Sequence, residues 1–400
     1  MVTMDQVIEA QKLLTPHLRP SPLIHSNHFS QRFGMEVFLK LESLQDTGSF
    51  KVRGALHRLL RLPQPIRDKG VTAASAGNHA QGVAWAARQT GTCATIFMPR
   101  SAPIAKLLAT RSYGARVIQA GDTYDEAALE AQNWSSGHES VLIPAFEDPD
   151  IIAGQGTIGL EILQQIPDVD SVIVPVGGGG LIAGIASAIK GSRPKVEVLG
   201  VQARHAPSVA RSLEAGHRVS SLPRPTLADG IAVASPGELT FSMIQRFVDG
   251  VFTVEEGSIE TAVITFLERK HLVVEGAGAT PLAALMEGVA KPRGPRVVLV
   301  ISGGNLDLQW MDRIIERGTL ALGRRMRIRV LLPDHPGSLA RVTGLMAGLG
   351  ANIFQVYHDR LSPEQPVHLT RVEFDLEIQG QDHAQRIYGA LAEAGIEVMR

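Results

Sequence analysis

The feature that most constrains the fold is a regular alternation of short apolar segments with amphipathic ones, from about residue 36 to residue 318. Apolar runs such as 171–176 and 296–301 predict buried strands, and segments between them, such as 124–133, have the spacing of helices. Strands that are continuously apolar are typical of parallel sheets covered by helices on both faces. The alternation therefore predicts an α/β fold for this part of the chain.

The order of elements changes after a break at residues 318–325. Strand-like segments at 326–332, 352–360, 371–378 and 397–399 combine with helical segments at 337–349 and 384–394. The resulting order, β-α-β-β-α-β, is that of an α+β ferredoxin-like domain. Because 400 residues exceed the size of one typical domain, we predict two domains, at 1–321 and 322–400.

Charge and cysteine content limit the classes of partner. Lys plus Arg number 39 and Asp plus Glu number 40, and this balance gives no attraction to nucleic acid or anionic membranes. Cys93 is the single cysteine, so no internal disulfide can form and a reducing compartment is expected. Neither a signal peptide nor an apolar stretch of membrane-spanning length is visible. We expect a cytoplasmic protein that binds neither nucleic acid nor membrane.

Four consecutive glycines, Gly177, Gly178, Gly179 and Gly180, follow a predicted strand and precede a predicted helix that begins with Leu181. Glycines let backbone N–H groups converge on an anion, and the helix N-terminus adds favourable partial charge. The segment predicts a phosphate-binding loop. The alternative is a tight strand-to-helix turn.

The segment DTGSFK places Lys51 at the predicted start of a helix, with Thr47 or Ser49 as its expected N-cap. The positive end of the helix dipole disfavours an ammonium group and therefore lowers the expected pKa of Lys51. A neutral amine is the nucleophile that Schiff-base chemistry requires. The alternative is an ordinary solvated lysine.

Two further segments join a strand to a helix. One contains Ser75, Ala76, Gly77, Asn78 and His79, and the other is SGGN, which begins at Ser302. The first can hold a carboxylate through N–H groups and short polar side chains, or can be an ordinary N-cap. The second offers a hydroxyl at the carboxyl end of a strand, where ligands of α/β sheets bind, although its Asn305 could cap a helix near Leu306.

The motifs TGSFKVRGA, SAGNHAQG, VPVGGGGL and SGGN, in this order, resemble the tryptophan-synthase-β-like class (fold type II) of pyridoxal phosphate enzymes. The flanking KLESLQ, VEGAGA and LADGIAV resemble the threonine dehydratase and serine racemase branch. The resemblance spans roughly residues 5–320. It implies a catalytic domain of two subdomains with pyridoxal 5'-phosphate as the cofactor.

The resemblance also implies roles for the residues of these motifs. Lys51 would be the catalytic Schiff-base residue, Phe50 would lie against the cofactor ring, Asn78 would meet the ring hydroxyl and Ser302 would face the pyridine nitrogen. The residues implied to bind the cofactor phosphate are Gly177, Gly178, Gly179, Gly180 and Leu181. Those implied to hold the substrate carboxylate are Ser75, Ala76, Gly77, Asn78 and His79.

The reaction implied is the deamination of L-threonine to 2-oxobutanoate and ammonia, with L-serine to pyruvate as a side reaction. A neutral Ser302 does not enforce protonation of the pyridine, which favours rapid loss of a β-hydroxyl over a long-lived carbanion. Serine racemases of this branch carry a second serine where this chain has Ala76, so a dehydratase is favoured. The alternatives are a serine racemase, a β-replacement enzyme, and a cofactor-binding amino-acid sensor without significant turnover.

Related enzymes hold a divalent metal through a glutamate that precedes an ADG segment. Here that position is Pro225, which leaves Asp229 without its implied partner, so no metal is predicted.

The C-terminal segment resembles an ACT domain, a small amino-acid sensor. The residues implied to bind an effector are Asp334, His335, Pro336, Gly337, Ser338, Leu339 and Asn352. ACT domains pair side by side, so a homodimer or homotetramer is expected, with a hydrophobic amino acid such as isoleucine or valine as the effector. The alternative is an oligomerisation module without a ligand, and the sequence leaves open whether the pathway is isoleucine biosynthesis or threonine breakdown.

Overall fold

The computed structural model describes residues 1–361 and 366–399. The chain divides into two compact units, Met1–Leu306 and Asp307–Arg400. The predicted boundary between residues 321 and 322 falls inside the second of these ranges, and as the limit of the catalytic domain it stays a prediction.

The first unit contains two sheets with helices packed on them. Its helices and strands, in chain order, are α1 (Met4–Leu14), β1 (Leu23–His25), α2 (Asn27–Phe33), β2 (Glu36–Leu41), α3 (Lys51–Arg61), α4 (Gln64–Arg67), β3 (Val71–Ala74), α5 (Asn78–Thr90), β4 (Ala94–Met98), α6 (Ile104–Ser112), β5 (Arg116–Gln119), α7 (Tyr124–Gly137), β6 (Val141–Leu142), α8 (Pro149–Gln165), β7 (Ser171–Pro175), α9 (Gly180–Ser192), β8 (Glu197–Ala203), α10 (Ser208–Ala215), α11 (Glu238–Phe247), β9 (Gly250–Val254), α12 (Glu256–Lys270), α13 (Gly276–Glu287) and β10 (Arg296–Ile301). Short 3-10 turns lie at Glu42–Leu44 and Asp229–Ile231.

The larger sheet has the order β1-β2-β10-β7-β8-β9, and the smaller sheet has the order β5-β4-β3-β6. All neighbouring strands in both sheets are parallel except β1, which runs antiparallel to β2. Strands β7 and β8 are buried along their whole length. This arrangement confirms the predicted α/β class, since continuously apolar strands lie between layers of helices.

Helix α8 is longer than predicted. The helical spacing of apolar residues at 156–165 predicts a helix over that segment, but α8 begins at Pro149. Asp148 is its N-cap, and its Oδ1 accepts hydrogen bonds from the backbone N–H groups of Asp150 (2.8 Å) and Ile151 (3.0 Å). An acidic N-cap followed by proline at the first helical position is a strong start signal that the periodicity argument overlooked.

A buried cluster of charges anchors the first turns of α3. The Arg53 guanidinium donates to both oxygens of Glu42 (2.8 Å each) and of Glu161 (2.6 and 2.9 Å). Lys40 Nζ donates to the same Glu161 (2.5 Å). Arg53 is bidentate to both carboxylates, so charge-assisted hydrogen bonds join α3 to α8 and to the 3-10 turn that follows β2.

The second unit contains α14 (Leu308–Ala321), β11 (Arg325–Pro333), α15 (Ser338–Gly348), β12 (Asn352–Asp359), β13 (Leu369–Glu377), α16 (Gln381–Glu393) and β14 (Glu397–Met399). Its sheet is antiparallel, with the order β12-β13-β11-β14. From β11 onward the connectivity is β-α-β-β-α-β, which confirms the predicted ferredoxin-like arrangement.

Candidate active site

The carboxyl ends of four strands open onto one cavity of about 770 Å³ in the first unit. The loops that follow β2, β3, β7 and β10 carry the motifs singled out in the sequence. The cavity is lined by every residue to which the sequence assigned a catalytic, cofactor-binding or substrate-binding role: Phe50, Lys51, Ser75, Ala76, Gly77, Asn78, His79, Gly177, Gly178, Gly179, Gly180, Leu181 and Ser302. Parallel strands bring loops distant in sequence to one edge of a sheet, which explains this convergence.

Lys51 is the first residue of α3, and its Nζ donates to the carbonyl oxygen of Ala145 (2.8 Å). Burial lowers the pKa of Lys51 to about 8, and the nearby Glu275 carboxylate opposes this effect. The shift has the predicted direction, and loss of hydration is its main cause. An amine with this pKa is partly neutral near pH 8, as a nucleophile or base must be.

The predicted helix cap is wrong. The N-cap of α3 is Phe50, and no side chain caps the helix. The hydroxyls of Thr47 and Ser49 are buried without a hydrogen-bond partner among the described residues. Backbone bonds hold this loop in place instead: Phe50 N–H donates to Ser302 O (3.1 Å), and Gly304 N–H donates to Gly48 O (2.9 Å). Lys51 is thereby tied to the SGGN loop.

The glycine loop joins β7 to α9 and can only be built from small residues. A β-carbon at Gly178 would lie 2.4 Å from the ring of Phe146, and one at Gly180 would lie 2.9 Å from Phe146 Cβ. Gly179 has φ +99°, in the left-handed region that favours glycine. The first N–H groups of α9 have no acceptor within the helix, so the loop presents donors to the cavity.

The segment from Ser75 to His79 joins β3 to α5. Gly77 is the N-cap of α5 without a side-chain capping bond, and the Ser75 hydroxyl accepts from Gly77 N–H (3.1 Å). His79 Nε2 donates to Ile143 O (2.9 Å), and burial, with a further contribution from Lys51, lowers its pKa to about 3. A neutral imidazole engaged with Ile143 brings no positive charge to an anion, so the backbone supplies most of the donors here.

Sequence reasoning assigned no role to Glu275, although its motif VEGAGA was recognised. Glu275 precedes α13 and is 6% exposed. The amide nitrogen of Asn78 donates to both of its carboxylate oxygens (3.0 and 2.9 Å). Burial raises the pKa of Glu275 to about 7, against the hydrogen bond from Asn78 that lowers it. The signal in the sequence that could have identified Glu275 as a site residue is its position directly before a glycine-containing segment.

Asn305 is not a helix cap, because α14 begins only at Leu308. Its Nδ2 donates to Asn78 Oδ1 (2.8 Å) and to Thr47 O (2.7 Å). The Asn78 amide therefore joins its own motif, SAGNHAQG, to VEGAGA through Glu275 and to SGGN through Asn305.

Ser302 is buried at the end of β10 and lines the cavity. At the mouth of the cavity, Lys106 on α6 pairs with Asp229 (2.9 Å). Asp229, the remaining member of the metal pattern in related enzymes, thus has an ammonium partner. Within residues 1–361 and 366–399, no group of three or more His, Cys, Asp or Glu side chains is arranged to hold a metal ion.

These features fit pyridoxal phosphate. The cavity combines a partly neutral buried amine, a loop of glycines at a helix N-terminus, and the neutral hydroxyl of Ser302. Lys51 would hold the cofactor covalently, and the glycine loop would hold its phosphate.

The predicted effector residues are not all brought together. The loop 334–339 joins β11 to α15, and Gly337 has φ +93°. Asp334 pairs with Arg360 (3.0 Å), and Ser338 Oγ lies 3.1 Å from His335 Nδ1. Asn352 is paired in register with Glu377, which is opposite Arg325 at the start of β11. Asn352 therefore lies at the other end of the sheet, roughly 25 Å along the strands from the loop.

Comparisons with known proteins identify the family of this chain. The family model described as pyridoxal-phosphate dependent enzyme matches residues 14–303. An L-threonine ammonia-lyase of Thermotoga maritima is 44% identical over 398 residues, which cover 100% of this chain and 99% of the relative. The predicted family resemblance is thus confirmed.

Solved structures give the same result. Threonine deaminase isoform 2 from Solanum lycopersicum matches with a TM-score of 0.74 and 36% identity, covering 80% of this chain and 91% of that one. Serine racemase from maize matches with a TM-score of 0.76 and 32% identity, covering 80% of this chain and 98% of that one. The chain belongs to the family of pyridoxal-phosphate-dependent enzymes that contains these threonine ammonia-lyases.

Proposed function

We propose that this protein is a pyridoxal-phosphate-dependent L-threonine ammonia-lyase that releases 2-oxobutanoate and ammonia, with L-serine as a poorer substrate that gives pyruvate. The observation that carries the proposal is the buried Lys51 amine, which opens onto the same cavity as the glycine loop and the Ser75–Gly77 turn. Full-length similarity to an L-threonine ammonia-lyase supports the choice of substrate.

The chain's own groups perform distinct tasks in this reaction. When bound, pyridoxal phosphate supplies an electron-accepting ring that weakens the α-C–H bond of the substrate. Lys51 Nζ removes the α-proton, since burial keeps a useful fraction of this amine neutral. The β-hydroxyl leaves as water, and one water is consumed when the product nitrogen is released as ammonia.

Two neutral side chains direct the outcome towards elimination. Ser302 has no negative charge with which to hold a proton on the ring nitrogen, which shortens the life of a carbanion. Ala76 lines the cavity with a methyl group and has no proton to deliver to the opposite face of the substrate. Racemisation needs such a donor, so serine racemase is the disfavoured alternative.

One assay separates these candidates. The purified holoenzyme is incubated with L-threonine and, separately, with L-serine, and 2-oxo acid, ammonia and D-serine are measured. We expect 2-oxobutanoate from threonine, slower pyruvate from serine, and negligible D-serine. D-serine formed faster than pyruvate would support the racemase, and no turnover of either amino acid would support a sensor.

We further infer that the C-terminal unit binds an amino-acid effector between two copies of the chain. Strand β12 is an edge of its sheet, and Phe354 (67% exposed) and Tyr357 (61% exposed) lie on it. A two-fold axis that pairs two β12 edges antiparallel brings Asn352 of one copy to the end of the sheet that carries the loop 334–339 of the other. A homodimer, or a homotetramer built from it, therefore reunites residues that one chain keeps apart.

We also propose that the catalytic domain ends at residue 321 and that the protein is cytoplasmic. Cys93 is free and exposed, as suits a reducing compartment. No helix within residues 1–361 and 366–399 is long and apolar enough to cross a membrane.

A further inference from the structure

The amide of Asn78 stands between two groups that leave it only one orientation. Its oxygen accepts from Asn305 Nδ2, and its nitrogen donates to both oxygens of Glu275. Rotating the amide by half a turn would place its oxygen against the carboxylate and its NH₂ against the Asn305 NH₂. Both contacts would be repulsive, so the two neighbours decide which end of the amide points where.

The neighbours are themselves fixed. Asn305 uses its second amide hydrogen on Thr47 O (2.7 Å), and its backbone N–H bonds the Glu275 carboxylate. Glu275 N–H donates to Gly303 O (3.1 Å). Both oxygens of an ionised carboxylate are acceptors, so both can face the donors of the asparagines, whereas an amide in this place would replace one acceptor by a donor.

Two motif glycines are explained by the same contacts. A β-carbon at Gly303 would lie 2.3 Å from Glu275 Oε1, and one at Gly48 would lie 2.5 Å from Asn305 Oδ1. Because Gly48 and Gly303 have no side chains, Asn305 and Glu275 can approach Asn78. Asn78, Glu275 and Asn305 all line the cavity, so these contacts form part of its wall.

We propose that Glu275 is a positioning residue for the reaction: together with Asn305 it holds the Asn78 amide so that an N–H, rather than the carbonyl, faces the ring hydroxyl oxygen of the bound cofactor. The inference rests on the proposed placement of Asn78 beside that oxygen. An N–H donor stabilises the ionised form of the ring oxygen, whereas a carbonyl acceptor would disfavour it. Glu275 thus acts on the cofactor through Asn78 and does not touch the substrate.

A double-mutant cycle tests this role through binding and absorbance. Glu275→Gln keeps the size of the side chain but introduces a donor that competes with the Asn78 amide. We expect the dissociation constant of the cofactor to rise roughly tenfold, because about one charge-assisted hydrogen bond is lost. We also expect a shift in the visible absorbance of the holoenzyme. In an Asn78→Ala background the same substitution should change the dissociation constant less than about twofold, because coupled residues are non-additive.

Asp229→Asn is the matched control. It removes a carboxylate from the same cavity, but Asp229 pairs with Lys106 and not with Asn78. We expect no shift in absorbance from this variant and an additive effect in the Asn78→Ala background. If Asp229→Asn reproduces the Glu275→Gln spectrum, general electrostatics explains the effect and the proposal is overturned.

Two other results would also overturn it: additive effects of Glu275→Gln and Asn78→Ala, or no effect of either on the cofactor. Should Glu275→Gln fail to fold, Asn305→Ala provides a second test. It removes the hydrogen bond to the Asn78 amide oxygen and must still shift the absorbance. These measurements do not depend on the substrate. Absent threonine turnover in the wild type would therefore refute the proposed function while leaving this inference open to the same test.

Discussion

At the scale of single residues, the site is governed by burial. Lys51, His79 and Glu275 line one cavity, and loss of hydration shifts the pKa of each towards its neutral form. Lys51 and His79 titrate lower than usual and Glu275 titrates higher. Near pH 7 the Lys51 amine is therefore still mostly charged, the His79 imidazole is neutral and Glu275 is partly protonated, so these three groups together do not oppose the entry of an anionic cofactor.

The lowered pKa of Lys51 predicts how fast the apoprotein captures its cofactor. Only the neutral amine attacks the aldehyde, so the rate should rise with pH through about 8 and level off above it. A fully solvated lysine would give a rise centred about two units higher. Stopped-flow absorbance after mixing apoprotein with pyridoxal phosphate measures the profile, and Lys51→Ala should show no covalent band at any pH. A rise centred near pH 10 would contradict the buried environment.

At the scale of elements, each catalytic group depends on the loop or helix that carries it. The glycine loop between β7 and α9 is packed against Phe146, and α3 is held by the Arg53 cluster. Neither Phe146 nor the Arg53 cluster takes part in the proposed reaction. Each contact can therefore be tested by a substitution that leaves the reacting groups in place.

Gly178→Val should weaken cofactor binding at least tenfold, because its β-carbon would lie 2.4 Å from the Phe146 ring and the loop must move. Equilibrium dialysis at limiting pyridoxal phosphate measures the loss, and circular dichroism checks that the fold survives. Gly257→Ala is the control, since a β-carbon there meets no atom within 4 Å. Unchanged occupancy in the Gly178 variant would argue that the phosphate binds elsewhere.

Arg53→Met should destabilise the apoprotein by roughly 3–5 kcal/mol, since Glu42 and Glu161 would be left buried without their main partner. Chemical denaturation of the apoprotein measures the change. Arg100→Ala breaks an exposed pair with Asp122 and should cost no more than about 1 kcal/mol. Equal losses in the two variants would refute the anchoring role of the cluster.

At the scale of the whole molecule, the proposed catalytic site and the proposed effector site belong to separate units. The cavity is lined entirely by residues of Met1–Leu306, whereas strand β12 and the loop 334–339, which we propose to bind an effector, belong to Asp307–Arg400. An effector can change activity only through a difference in its affinity for two states of the protein.

Truncation after Ala321 should leave a folded, cofactor-loaded enzyme that no longer responds to isoleucine or valine. In the intact protein we expect an effector to change apparent threonine affinity by roughly 5–150-fold. Initial rates over a range of threonine concentrations measure the response, and Tyr357→Glu in the full chain tests whether it requires pairing of β12 edges. A truncated enzyme that keeps the full response would place the sensing site in the catalytic unit.

Local patterns in the sequence were sufficient to predict many of the helices and strands and to identify the motifs. The alternation of apolar and amphipathic segments predicted the α/β class with parallel strands, since periodicity reports which face of an element is buried. The predictions failed where the partner was remote: Thr47 and Ser49 do not cap α3, and Asn305 binds Thr47 and Asn78 instead of capping a helix. Propensities cannot identify a partner more than two hundred residues away.

By itself the sequence determined the class of fold, the order of the elements in the C-terminal domain and the motif residues that line the cavity, because each follows from local chemistry or from recognisable motifs. Only the tertiary structure decided that Glu275 and Asn305 clamp Asn78, that burial sets the pKa of Lys51, and that Asn352 lies far from the loop 334–339 within one chain. The physical reason is common to all three. Hydrogen-bond partners, loss of hydration and strand register are properties of neighbours in space, and folding chooses those neighbours from distant parts of the chain.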